Sequence, residues 1–263
     1  ARLMAVLLKL DLALARGRYG QWLGAVPPRL DAQADAPFQI LELRHPLLVW
    51  QQRKEGGAPV VPVSVEVSEQ LRVVAITGPN TGGKTVTLKS IGLAALMARA
   101  GMWIPCNGSP SLPWCAQVLA DIGDEQSLQQ SLSTFSGHVK RIGSILQSIA
   151  SGPSPALVLL DEVGAGTDPS EGTALAIALL RNLANCARLT IATTHFGELK
   201  ALKYSDSRFE NASVAFDSDS LSPTYQLLWG IPGRSNALAI ATRLGFDGGV
   251  IEQARQLLKP SGD

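Results

Sequence analysis

Short, mostly apolar runs alternate along this chain with longer stretches in which apolar residues recur every three or four positions. The runs at 73–77, 157–160 and 189–193 each predict a buried strand. The stretches 86–100 and 171–184 have helical periodicity. Buried strands that alternate with helices predict an α/β fold with a mostly parallel sheet flanked by helices.

The two ends of the chain have a different pattern. Residues 1–24 show helical periodicity before a polar, proline-containing passage. Residues 38–43 and the alternating valines of 61–67 predict two more strands. After Tyr225 the pattern predicts helices as far as Leu258. The sequence therefore predicts a central α/β domain with short helical appendages at both ends.

Composition narrows the possible functions. The 263 residues carry 23 basic and 22 acidic side chains, so the net charge of +1 gives no electrostatic footprint for nucleic acid. No apolar run approaches the ~18 residues of a membrane span. The three cysteines lack zinc-type spacing and are expected to be idle thiols. The chain opens on Ala1 without a signal-peptide layout, and we expect a fragment of a larger cytoplasmic protein.

A phosphate-binding loop is predicted at residues 78–85, which read Gly-Pro-Asn-Thr-Gly-Gly-Lys-Thr between a buried strand and a helix. Glycines let the backbone N–H groups turn inward around an anion, and the helix N-terminus adds partial positive charge. Lys84 is expected on the β- and γ-phosphates, and the Thr85 hydroxyl on Mg²⁺. The predicted nucleotide-binding residues of this segment are Gly78, Pro79, Asn80, Thr81, Gly82, Gly83, Lys84, Thr85 and Val86.

Two carboxylates and a histidine follow two of the predicted strands. Asp161 and Glu162 come directly after a hydrophobic strand, where open α/β sheets place their ligands. Asp161 is expected to hold Mg²⁺ and Glu162 to polarise the attacking water. His195 ends the next strand, within expected reach of the γ-phosphate or that water. The alternative readings are a solvated acidic turn and a structural histidine.

These motifs together resemble the MutS ATPase family. The residues that carry the resemblance are 77–85, Ser133-Thr134-Phe135, 161–167, 192–196 and Arg44-His45-Pro46. Segment 121–127, with the sequence Asp-Ile-Gly-Asp-Glu-Gln-Ser, and segments 84–89 and 134–136 are closest to the second bacterial branch. That branch is the paralogue that carries a Smr domain and is not used in mismatch repair. Gly233-Arg234-Ser235 also fits it.

The resemblance implies a P-loop NTPase of the ABC-ATPase type that dimerises head to tail around two nucleotides. Ser133 then corresponds to the signature serine, which faces the γ-phosphate of the partner subunit. Gln126 corresponds to the glutamine-loop position, and Tyr225 to the aromatic residue that stacks on adenine. Residues 61 and 62 are expected in the opposing wall. Core packing is the alternative role for Tyr225.

The same resemblance implies a division into three parts. Residues 1–37 correspond to the end of a helical lever region, 38–225 to the ATPase domain, and 226–263 to a C-terminal helical dimerisation element. Val163, Gly137 and Asn236 depart from the family pattern, but none of them occupies a phosphate- or metal-binding position. The departures therefore concern packing between subunits.

The leading functional prediction is a Mg²⁺-dependent ATPase that drives clamp and dimer rearrangement in a parent protein. That parent would act on branched DNA or on stalled ribosomes through parts outside this sequence. One alternative is a nucleotide-gated dimerisation module with negligible turnover on its own. Another is the ATPase of a mismatch-repair protein. The sequence of residues 121–127 argues against this alternative because it is closer to the second bacterial branch. A transporter domain is disfavoured because the Leu-Ser-Gly-Gly signature is absent.

Overall fold

A computed structural model describes residues 2–79, 82–123, 134–217, 222–233 and 237–258. Its helices are α1 (Arg2–Leu23), α2 (Pro46–Glu55), α3 (Lys84–Arg99), α4 (Thr134–Ser151), α5 (Pro169–Cys186), α6 (Leu202–Ser205), α7 (Ala237–Arg243) and α8 (Gly248–Leu258). Its strands are β1 (Arg29–Asp31), β2 (Phe38–Leu43), β3 (Val63–Val67), β4 (Val73–Thr77), β5 (Asn107–Pro113), β6 (Gln117–Asp121), β7 (Ala156–Leu160), β8 (Leu189–Thr193), β9 (Phe209–Asp217) and β10 (Ser222–Trp229). None of the helices in these ranges has the length and apolar character needed to cross a bilayer.

The main sheet has six strands in the order β10-β9-β4-β8-β7-β6. All neighbouring strands from β9 to β6 run parallel, and only β10 is antiparallel to its neighbour. The carboxyl ends of β4, β6, β7 and β8 therefore meet at one edge of the sheet. In open α/β sheets this edge is where ligands bind.

A second sheet has four strands in the order β1-β5-β2-β3. Residues 38–43 form β2 as predicted, and its antiparallel pairing with β3 aligns Phe38 with Val67. The buried guanidinium of Arg188 lies between the two sheets. It donates hydrogen bonds to the carbonyl oxygens of Ala36, Ser68 and Leu71. This arginine therefore ties the second sheet to the start of β8.

Alternation along the parallel strands divides the core into two layers. On β7, Leu157 and Leu159 pack with α3 and the second sheet, whereas Val158 and Leu160 pack with α5. Every residue of β4, β7 and β8 is buried. Helices on both faces shield these strands from water, and this is why their sequences are mostly apolar.

The predicted mixed α/β architecture is confirmed, with one correction near the C-terminus. Helix was expected directly after Tyr225, but residues 226–229 continue β10 as far as Trp229. The indole of Trp229 donates a hydrogen bond to the carbonyl of Ser64, which fixes this strand against β3. Helical structure resumes only at α7. The division of the chain into three functional parts remains a prediction.

Candidate functional site

The predicted phosphate loop leads from β4 into α3. Gly78 has a φ of 132° and Gly83, at the N-terminal cap of α3, has a φ of 85°. Both values lie in a region that side-chain-bearing residues rarely adopt, so the bend of this segment requires glycine. The Lys84 ammonium folds back across the bend and donates a hydrogen bond to the Gly78 carbonyl at 2.6 Å.

Lys84 is a buried cation, with only 2% of its surface exposed. Burial lowers the pKa of its ammonium group because a charge loses hydration in the interior. The carboxylates of Glu162 and Asp161 oppose that effect and favour the charged form. The lysine is therefore a positive charge held inside the protein next to the acidic pair, as phosphate binding would require.

The Asp161 carboxylate lies between two threonine hydroxyls. Thr85 Oγ1 donates a hydrogen bond to Asp161 Oδ2 at 2.7 Å, and Thr193 Oγ1 donates one to Asp161 Oδ1. The backbone N–H of Asp161 also donates to the Asp121 carbonyl at 2.8 Å. These contacts bring the start of α3 and the ends of β6, β7 and β8 together around the Asp161 carboxylate. The oxygens of Thr85 and Asp161 fit Mg²⁺, which binds a few protein oxygens and completes its octahedron with phosphate and water.

Glu162 has a φ of 51°, in the left-handed region where a residue other than glycine is uncommon. Its backbone N–H donates to Thr193 Oγ1 at 2.8 Å, and its carbonyl accepts from the Ala165 N–H at 3.0 Å. This turn breaks the alternation of the strand, so Glu162 and Asp161 line the same cavity. The His195 ring nitrogen Nε2 lies 3.4 Å from Glu162 Oε1.

Strands β9 and β10 pack closely on the glycines of the phosphate segment. A side-chain carbon on Gly83 would lie 3.1 Å from the Tyr225 ring, and one on Gly82 would lie 3.0 Å from Val214. Tyr225 has a φ of 61° and remains 48% exposed. The aromatic ring is therefore next to the phosphate segment and accessible, whereas Val86 points outward with 40% of its surface exposed.

The turn after β10 is fastened to the same segment. The Gly233 N–H donates to Thr77 Oγ1 at 2.7 Å, and the Gly233 carbonyl accepts from Lys200 Nζ at 2.7 Å. A side-chain carbon on Gly233 would lie 3.1 Å from backbone atoms of Thr77 and Gly78. The chain leading to α7 therefore touches the backbone of the predicted phosphate loop.

The structure thus brings together the described residues that carry the predicted chemistry, and their roles remain predictions. Lys84, Thr85, Asp161, Glu162 and His195 meet at the carboxyl edge of the main sheet. The predicted positions Asn80, Thr81, Gln126 and Ser133 lie outside the described residues. Pro62, expected opposite Tyr225, lines a cavity of about 320 Å³ with Glu42 and Arg44.

Thr193 and Asp121 have contacts in the site that sequence reasoning did not assign to them. The parallel register places Leu160 beside Ala192, so the next residues, Asp161 and Thr193, are also neighbours. The sequence carries a signal for this contact, because a polar residue follows β7 directly, as Asp161, and another ends β8, as Thr193. The register itself was needed to pair the two ends.

Known proteins resemble this chain over nearly its whole length. The MutS domain V family matches residues 74–260. An Endonuclease MutS2 of Synechocystis sp. is 62% identical over 97% of this chain and 33% of its own length. Endonuclease MutS2 proteins of Geobacillus kaustophilus and Clostridium beijerinckii are 49% and 44% identical, each over 97% of this chain and 31% of their own length. The chain spans about a third of the relatives that it matches, and these relatives confirm the predicted resemblance to the second bacterial branch. The chain therefore belongs to the MutS family, with its domain V covering residues 74–260.

Proposed function

We propose that this chain binds ATP together with Mg²⁺ and hydrolyses it, as a P-loop NTPase of the ABC-ATPase type. The observation that carries the proposal is the meeting of Lys84, Thr85, Asp161, Glu162 and His195 at one sheet edge. A buried ammonium, an oxygen pair suited to Mg²⁺ and a second carboxylate with a histidine are the groups that phosphoryl transfer to water requires.

Each side chain has a role that follows from its position. The backbone N–H groups of the loop and the Lys84 ammonium would hold the β- and γ-phosphates and stabilise the charge that spreads over them in the transition state. Thr85 and Asp161 would hold Mg²⁺, which supplies charge neutralisation on the phosphate oxygens when bound. The Tyr225 ring, beside Gly83, would stack on the adenine.

Glu162 is the proposed base. Its carboxylate would accept a hydrogen bond from the attacking water and orient it in line with the bond that breaks. His195, 3.4 Å away, would fix the direction of that carboxylate or contact the γ-phosphate. The left-handed backbone at Glu162 supports this role, because strained conformations concentrate where a functional side chain must be aimed.

The test is ATP turnover by Lys84→Ala and Glu162→Ala. Lys84→Ala is expected to weaken binding of Mg·ATP and turnover together, whereas Glu162→Ala is expected to lower kcat by about 10²-fold or more with ATP binding retained. The matched controls are Lys89→Ala, an exposed lysine on the same helix, and Glu171→Ala, an exposed acid at the start of α5. Unchanged rates in both site variants would end the proposal.

We also propose that the complete site needs two copies of the chain. The exposed apolar side chains Leu244, Phe246 and Val250 in and between α7 and α8 support a contact with a second copy. In such a head-to-tail homodimer, Ser133 of one copy would face the γ-phosphate bound by the other. Specific activity that rises with protein concentration is the expected result. A near-zero rate independent of concentration would favour the second candidate, a nucleotide-gated dimerisation module.

For the parent protein we propose a cytoplasmic enzyme in which ATP drives rearrangement of the dimer and a clamp. The names of the relatives describe endonucleases, and we propose branched DNA or a stalled ribosome as what the parent engages through parts beyond these residues. ATP-dependent retention of the full-length protein on a four-way DNA junction, or on ribosomes, is the expected result. Equal retention with and without ATP on both would contradict it.

A further inference from the structure

Asp121 is a buried carboxylate that the proposed ATP site leaves without a role. It ends β6, and only 2% of its surface is exposed. Its Oδ2 lies 2.6 Å from Nδ1 of His138, and its Oδ1 accepts a hydrogen bond from Nε of Arg141. Both partners come from α4 and are three residues apart, so they lie on one face of the helix. A buried carboxylate is costly unless it is paired, so this contact fastens α4 to the end of β6.

Apolar packing holds the first half of α4 only in part. A cavity of about 280 Å³ lies between α4 and α5, lined by Phe135, Val139 and Ile142 on one side and by Leu175 and Leu179 on the other. A void removes the dispersion contacts that would otherwise fix a helix. Further along α4, Ile145 is buried in the core layer shared with α5. The orientation of the first turns therefore depends on the contacts that His138 and Arg141 make with Asp121.

The same residue touches the catalytic edge of the sheet. The Asp121 carbonyl accepts a hydrogen bond from the backbone N–H of Asp161 at 2.8 Å, and Asp121, Asp161 and Glu162 all line the cavity. A displacement of α4 would thus act on the backbone that carries the acidic pair. A displacement of about 1 Å at a catalytic group can cost ~10²-fold in rate.

We infer that Asp121, His138 and Arg141 form a positioning network that fixes the first turns of α4 relative to Asp161 and Glu162. In the described part of the chain, their side chains form hydrogen bonds with one another, and the Asp121 carbonyl accepts one from the backbone of Asp161. We assign these three residues no contact with ATP. The inference rests on the proposed ATPase function. It adds that turnover requires the charge on Asp121, whereas binding of Mg·ATP does not.

Asp121→Asn is the informative variant because it removes the charge and keeps the shape. His138 and Arg141 have side chains that are 25% and 48% exposed, so water can solvate them when the pairing weakens. Arg141→Gln is a harsher change, since it leaves the buried carboxylate beside two other acids with one cationic partner fewer. Stability should therefore fall more in Arg141→Gln than in Asp121→Asn.

The experiment measures kcat and KM for Mg·ATP, together with the urea midpoint, in wild type, Asp121→Asn, Arg141→Gln, Arg141→Lys and the double variant Asp121→Asn/Arg141→Gln. The matched control is Asp206→Asn, which breaks an ion pair of 2.7 Å with Arg208 just before β9, at the opposite edge of the sheet. Asp121→Asn is expected to lower kcat about tenfold or more with KM changed less than ~3-fold. Arg141→Lys should retain a higher kcat than Asp121→Asn. The double variant should lose no more kcat than Asp121→Asn alone.

The outcomes separate this inference from the function on which it rests. Wild-type turnover with an unchanged kcat in Asp121→Asn would overturn the positioning role and leave the ATPase proposal intact. A fall in kcat that matches the fraction of unfolded protein would also overturn it, because a purely structural residue behaves in that way. A wild type without turnover at any protein concentration would overturn both.

Discussion

Replacing Thr193 by valine deletes one hydroxyl group and leaves a side chain of nearly the same shape. That hydroxyl donates to the Asp161 carboxylate and accepts the backbone N–H of Glu162 at 2.8 Å. Thr193 is fully buried, so water cannot replace either contact without rearrangement. A hydrogen bond to a charged group is worth about 1.5–3 kcal/mol, and the Glu162 amide left without its acceptor adds about 1 kcal/mol. Thr193→Val is therefore expected to lower the free energy of unfolding by about 3 kcal/mol.

The chain contains its own control for this prediction. Thr190 lies on the same strand and is equally buried, but its hydroxyl has no hydrogen-bond partner in the described part of the chain. Thr190→Val removes a polar group that gains nothing from burial, so its free energy of unfolding should be unchanged or higher by about 1 kcal/mol. Urea unfolding followed by the fluorescence of the five tryptophans measures both variants.

Turnover provides the second measurement. Because Thr193 is the common anchor of the two acids, Thr193→Val should lower kcat by about tenfold or more, and Thr190→Val should leave it unchanged. Equal stability and equal kcat in the two variants would refute the reasoning. A loss of stability without a loss of kcat would refute only the role of Thr193 in placing the acids.

Three further predictions concern other contacts. Gly233→Ala puts a carbon 3.1 Å from the backbone of the phosphate segment, at a strain of about 1–2 kcal/mol. This strain should weaken binding of Mg·ATP by roughly tenfold, and unchanged affinity in a titration would contradict the prediction. Arg188→Met removes a buried donor that binds the carbonyls of Ala36, Ser68 and Leu71, and it should lower the free energy of unfolding by about 2–4 kcal/mol in urea; a loss below about 1 kcal/mol would argue against its linking role. Burial raises the pKa of Cys106 to about 11 and of Cys115 to about 12. At pH 8 a disulfide reagent should therefore modify only the exposed Cys186 until urea is added. Rapid modification of all three cysteines would contradict the burial of Cys106 and Cys115.

The main sheet was predictable because its central strands carry a strong and unambiguous pattern. Residues 157–160 and 189–193 are buried on both faces, and burial of that kind leaves a mostly apolar run in the sequence. The phosphate segment was equally clear, because its glycines and Lys84 stand at fixed spacing between a strand and a helix. In these places the local pattern and the tertiary environment impose the same requirement.

Other elements lacked such a signal. β5 contains a glycine and two prolines, which oppose strand formation, and its place between β1 and β2 comes from tertiary pairing. The residues after Tyr225 read Gln-Leu-Leu-Trp, a short apolar run that periodicity cannot assign to helix or strand. Residues 226–229 form a strand because they pair with β9 and because Trp229 donates a hydrogen bond to the carbonyl of Ser64.

The functional contacts of Thr193 and Asp121 depend on strand register, which composition does not reveal. Parallel pairing sets Leu160 opposite Ala192 and Asp121 opposite Leu160, so the three strand ends converge on Asp161. The Asp121 contact also needs α4 to lie over β6 with His138 and Arg141 facing that strand, and this placement depends on tertiary packing. Three-dimensional placement was therefore needed to find both residues.

The most direct test of the proposed chemistry is phosphate release by Glu162→Gln at matched occupancy with Mg·ATP. This substitution keeps the shape of the side chain and removes the charge that would orient the attacking water. The account predicts that ATP still binds and that release of phosphate falls by about 10²-fold or more relative to the wild type. Equal rates of phosphate release from the two proteins at equal occupancy would contradict it.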